Sequence, residues 1–149
     1  MRNDLVVTRS LLLNADPLKV WEILTHPDHF DLAIFNCRMN SDWKQGSTIT
    51  WRGNYQKRDV VFNGVVMDVV PGRVLKFSAF DPHGGNEGYP ENYIHVCYTL
   101  VPRKEGTDLQ VTLSNFNSEE MRAQIAAEEW DFNVLPRIRS LAEVNVETH

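Results

Sequence analysis

The 149-residue chain predicts one α+β domain, a curved antiparallel sheet of about six strands wrapped around a long C-terminal helix, with one or two short helices after the first strand. Three observations predict it. Strand-like runs follow one another from Ser47 to Phe116, separated by turn residues. Alternation along those runs puts apolar side chains on one face of each strand. The chain then closes with a long amphipathic stretch that begins near Asn117.

Taken in order, Leu5 to Leu13 is rich in Val, Leu and Thr and reads as the first strand. Asp16-Pro17 starts a helix: the carboxylate can accept orphan amides, and proline in the first turn sacrifices no needed donor. Val20, Trp21 and Leu24 keep helical spacing until Thr25-His26-Pro27 ends it. Asp28 to Trp43 reads as a second short helix or a packed loop. Strands follow at Ser47 to Arg52, Asp59 to Val70, Arg73 to Phe80, Asn92 to Val101 and Thr107 to Phe116. Pro71-Gly72 and Lys104-Glu105-Gly106 mark short turns, and the glycine- and proline-bearing stretch Asp81 to Glu91 marks a longer loop. Asn117-Ser118-Glu119-Glu120 offers a helix start with acids in the first turn, and that helix can run to about Val144. Pro136 inside it predicts a kink that bends the helix along the sheet's curvature.

Parity assigns the inward face of each strand. Val61, Asn63, Val65, Met67 and Val69 share one side, as do Leu75, Phe77 and Ala79, then Ile94, Val96, Tyr98 and Leu100, and then Leu109, Val111 and Leu113. Ala127, Trp130, Val134, Ile138 and Leu141 line one side of the last helix and are the natural cover for that face. A second stripe, Met121, Ile125, Phe132 and Leu135, points the other way, to be covered by loops and the first helix or used as a dimer or partner surface. A sheet gripping a helix either encloses a cavity or is filled by bulky side chains; both remain open at this point. A cavity would be lined by Trp51, Val61, Asn63, Val65, Met67, Leu75, Phe77, Val96, Tyr98, Val111, Leu113, Asn115, Trp130 and Val134. Its polar members, Asn63, Tyr98, Asn115 and the Trp51 indole, suit a small apolar or amphipathic molecule with one polar handle better than they suit proton transfer.

Composition removes other classes. Hydrophobic residues make up 42% and charged residues 23%, a globular balance. The net charge is -5 and no segment gathers the basic residues, which excludes a nucleic-acid partner. No apolar run suits a signal peptide or a bilayer span, and Cys37 and Cys97 form neither a disulfide framework nor a metal-type pair, so a reduced cytoplasmic setting is expected.

Four local motifs resemble one family. Asn14-Ala15-Asp16-Pro17 followed by Val20-Trp21 and Thr25-His26-Pro27, the run from Gly64 to Pro71 with Arg73-Val74-Leu75, Gly106-Thr107-Asp108-Leu109-Gln110-Val111 through Phe116, and Trp130 with Val134 and Leu141 are similar to the START-like (SRPBCC) superfamily. Within it they resemble homologues of the C-terminal domain of the activator of the heat-shock protein 90 ATPase. The resemblance implies the helix-grip (START-like/Bet v-like) fold over residues 1–149. It also implies one of three roles: a binder of hydrophobic small molecules, a protein-interaction module acting on a chaperone ATPase, or a polyketide cyclase or hydrolase-like enzyme working without metal. Many relatives carry His or Glu on the inward face of the penultimate strand, where this chain has Leu113, so an acid or base there is absent. The sequence is read as the domain alone, with no additional docking segment expected, which counts against the chaperone role.

Chemical candidates outside the interior are few. His26 and His29, beside Asp28 and Asp31, have the spacing of a partial zinc set but lack a third ligand. Asp81 and His83, with Glu87, could form an acid-base pair in the glycine-rich loop, and no nucleophile completes it. No phosphate loop, nucleophile elbow or dinucleotide fingerprint occurs, and no cofactor is expected.

Overall fold

A computed structural model describes residues 5–25, 37–55, 57–80, 93–116 and 119–143. Its elements are β1 (Val7–Leu13), α1 (Pro17–Thr25), β2 (Cys37–Asn40), β3 (Thr48–Tyr55), β4 (Arg58–Val70), β5 (Val74–Phe80), β6 (Tyr93–Arg103), β7 (Gly106–Ser114), α2 (Glu120–Glu129), a π turn (Trp130–Val134) and α3 (Leu135–Ala142). The strands form one antiparallel sheet in the order β1-β7-β6-β5-β4-β3-β2. This is the helix-grip arrangement, with seven strands among the described residues where about six were expected. The added strand is β2, in the stretch read as helix or loop: Met39 pairs with Trp51 on β3 and is buried with it.

The start of α1 follows the sequence rule, since Asp16 Oδ1 accepts the Lys19 amide at 3.0 Å. For α2, Asn117 and Ser118 lie outside the described residues; the N-cap is Glu119, which makes no side-chain capping bond, and Glu120 supplies the expected acid in the first turn. Where a bend at Pro136 was expected, the helix widens just ahead of it into the π turn. Proline supplies no amide hydrogen and crowds the carbonyl four residues back. The residue directly before it, Leu135, donates its amide to the Trp130 carbonyl, a five-residue step.

Burial confirms the inward faces of β5, β6 and β7 and corrects that of β4. Phe62 and Val66 are buried, with Gly64 between them. Val61 is 45% and Val65 43% exposed, and Asn63 is exposed beside them. The cause is a β-bulge: pairing runs Val66↔Phe77 and then Asp68↔Lys76, so Met67 is an extra residue. Val69 does pack against the core, but carrying its parity back across the bulge assigns every earlier residue to the wrong side.

The helical stripe shifts as well. The buried line is Arg122, Ala126, Trp130, Val134, Ile138 and Ala142, in steps of four, while Ala127 and Leu141 are only half-buried. In the second stripe Leu135 is buried, Ile125 is half-buried, and Met121 and Phe132 are exposed.

The β1 side of the sheet is tied to the C-terminal helix. Arg9 makes a two-pronged bond to Asp131, with its Nε 2.7 Å from Oδ1. Arg139 donates to the Leu12 carbonyl at 3.0 Å, and Glu143 accepts the Asn14 amide at 2.9 Å. Side chains thereby occupy backbone groups that an edge strand would otherwise offer to another chain.

Candidate functional site

The interior between sheet and helix is where the apolar faces converge. Its floor combines Met39, Ile49 and Trp51 with Phe62 and Val66, then Leu75, Phe77, Val96, Tyr98, Val111 and Leu113, all buried. Its roof is the stripe running from Arg122 to Val134. Of the expected lining residues, the structure brings Trp51, Leu75, Phe77, Val96, Tyr98, Val111, Leu113, Trp130 and Val134 to this interior. It removes Val61, Asn63 and Val65, which face outward, and Met67, which sits at the bulge and borders a groove on the outer face.

An aromatic row crosses the interior from strand to helix. Ring centroids stand 6.0 Å apart for Trp51 and Phe77, 6.0 Å for Phe77 and Tyr98, and 5.8 Å for Tyr98 and Trp130, all tilted. Trp51 reaches this layer because Gly64 leaves room for it. A Cβ on Gly64 would stand 2.9 Å from Trp51 Cζ3 and would overlap the Ser78 carbonyl oxygen. Cζ3 and Nε1 lie on opposite edges of the indole, so the N–H points away from Gly64. That nitrogen is buried and has no hydrogen-bond partner among the described residues.

Two other inward groups are polar. Burial pushes the Tyr98 hydroxyl far above its ordinary pKa, so it stays protonated and neutral. Arg122 is 3% exposed; its guanidinium lies 3.4 Å from the Phe116 carbonyl and 3.8 Å from Glu119. Sequence reasoning missed Arg122, although counting back in fours from Trp130 would have found it. Asn115, expected in the lining, is a half-buried turn residue beyond β7 with φ +68. Its side chain donates to the Tyr93 carbonyl at 2.7 Å and holds the ends of β6 and β7 together.

The outer face carries a groove of about 560 Å³ bordered by Thr48, Asn63, Gly64, Val65, Met67, Ser78, Tyr93 and His95. His95 faces outward as expected, and burial, followed by the nearby Lys76 charge, lowers its pKa. Asp81 and His83 lie outside the described residues, as do His26, Asp28, His29 and Asp31. Among the described residues no His, Cys, Asp or Glu cluster could hold a metal, and no helix is long and apolar enough to cross a membrane.

Residues 14–143 match the family described as activator of Hsp90 ATPase homolog 1-like protein. Among solved structures, the chain is similar to a Cytophaga hutchinsonii protein with 29% identity, 99% of each chain covered and a TM-score of 0.79. It is also similar to a Mesorhizobium loti protein, with 21% identity over 92% of this chain and 96% of the other, at a TM-score of 0.73. The Aha1 dimer from Colwellia psychrerythraea shares 16% identity over 93% of this chain and 97% of the other, at a TM-score of 0.69. The last two likenesses speak for the fold alone. No curated protein matches the chain.

Proposed function

Because the chain belongs to the family of activator of Hsp90 ATPase homolog 1-like proteins, a helix-grip family, we propose that it binds a small hydrophobic or amphipathic molecule between the curved sheet and the C-terminal helix. The observation that carries this reading is the convergence of the apolar sheet face and the apolar helix stripe on one interior, which a row of aromatic rings crosses from Trp51 to Trp130. Catalysis finds less support. The inward polar groups are a neutral tyrosine, an indole and a guanidinium, with no carboxylate or imidazole among the described lining. The absence of a bilayer-spanning helix among the described residues and the modest acidic charge fit the cytoplasm.

Calorimetric titration with 2-isopropenylnaphthalene tests the reading. Saturable one-to-one binding is expected, and it should disappear in Ala126→Trp, which fills the roof of the interior, while circular dichroism keeps its native shape. No binding, or binding that ignores the filled roof, would overturn it.

A second reading, a protein-interaction module acting on an Hsp90-type ATPase, draws on the family description and on the outer groove beside exposed Val61 and Val65. Under it, the chain raises ATP turnover by such an ATPase, and Val65→Asp abolishes the effect.

A further inference from the structure

The closing helix is held down unevenly. The bonds that tie β1 and its end to it meet it at Asp131, Arg139 and Glu143, all within or beyond the π turn. α3 packs on α1 and β1 and buries Leu135, Ile138 and Ala142, and the π turn buries Val134 and sets Trp130 against Tyr98. Ahead of the turn, α2 buries two of its ten residues, Ala126 and Arg122, one carrying a methyl group and the other a cation. Buried apolar surface is what fixes a short helix to a sheet, and α2 brings little of it. A π turn is also one of the few places where a helix bends. We propose that α2 is a lid over the interior: it comes off the sheet with the π turn as its hinge, while α3 stays docked.

The balance of forces singles out α2. Raising α3 would break the Arg139 and Glu143 bonds and bring Leu135 and Ile138 into water. Raising α2 brings out Ala126, and it returns water to the Arg122 guanidinium, which at 3% exposure has given up most of its hydration. The 3.8 Å contact between Arg122 and Glu119 lies at the start of α2 and can travel with it. The apolar floor uncovered by the motion opposes it, so the closed state is the populated one. In that state Trp51, Phe77 and Tyr98 expose 3% or less of their surface. The motion belongs to the empty chain; its use as an entrance rests on the ligand-binding reading above, because a molecule reaches a closed interior only if one wall yields.

Two introduced thiols read the hinge. Ala126→Cys puts one on the inward side of α2 and Ala142→Cys puts one on the inward side of α3, and both alanines are 5% exposed or less. Each variant is treated with iodoacetamide, and the peptide carrying the new thiol is followed by mass spectrometry, so that Cys37 and Cys97 do not interfere. Rates are divided by those of the same peptide in the urea-unfolded chain. The Ala126→Cys thiol is expected to react at least about tenfold faster than the Ala142→Cys thiol, as a part that opens ahead of global unfolding does. Equal rates overturn the proposal: if both are slow, α2 stays down, and if both are fast, the closing helix leaves as one piece. A ten-residue helix away from its sheet does not hold its own amide bonds. Amide hydrogen exchange in the unaltered chain therefore makes the same comparison, Ala126 to Glu129 against Arg139 to Ala142, and decides the matter if either variant fails to fold. Both measurements are made without ligand, so a failed naphthalene titration overturns the ligand-binding reading and leaves the lid standing, whereas equal rates remove the lid alone.

Discussion

Single residues carry constraints that the rest of the chain obeys. Gly64 sits in the middle of the sheet, where a methyl group would meet the Ser78 carbonyl on one strand and the Trp51 ring on another. Gly64→Ala is therefore expected to lower stability by about 3 kcal/mol in urea denaturation, at the upper end for overpacking, because a backbone oxygen cannot move aside as a side chain can. His95 works through charge. Burial and Lys76 hold its folded pKa below the ordinary 6.5, so the unfolded chain takes up its proton more readily. The contribution is complete above pH 6.5 and shrinks as pH falls through that value toward the folded pKa. Melting temperatures of His95→Gln measured across this range should fall less steeply with acid than those of the parent chain. Arg9 and Asp131 each keep more than a third of their side-chain surface in water, so their ion pair serves to place β1 against the helix more than to add stability.

At the scale of elements, one inserted residue decides which face of a strand is wet. The bulge at Met67 explains why Val69 faces in and Val65 faces out, although both are valines an even number of positions apart. Val65→Asp should therefore change stability by less than about 1 kcal/mol, as surface substitutions do, whereas Val66→Asp buries a carboxylate at a fully enclosed position and should abolish cooperative unfolding. If the two variants behaved alike, the face assignment would be wrong. The π turn does the corresponding work in the closing helix. With Pro136 accommodated there, the buried line advances in steps of four and collects Arg122 and Ala126 in place of Ala127. Both devices share a cause. Periodicity read along a sequence assumes an unbroken ladder, and a bulge or a wide turn slips it by one residue without any local apolar signal.

At the scale of the molecule, the seven strands and the closing helix among the described residues enclose one hydrophobic core, and the candidate site is that interior. The two proposed readings call on different faces: ligand binding would use the interior, and a chaperone-ATPase partner would use the outer groove beside Val65 and His95. The sequence by itself determined the α+β class, the strands other than β2, the Asp16 cap, the inward faces of β5 to β7 and the family resemblance. Each of these depends on residue type and on spacing within one element, where propensity and hydrophobic period act directly. Only the tertiary structure decided the pairing of β2, the reversed face of β4, the burial of Arg122 and the isolation of the Trp51 N–H. These depend on what stands opposite a residue across the sheet or on the helix above it, and that is set when distant segments pack, not by the neighbours along the chain.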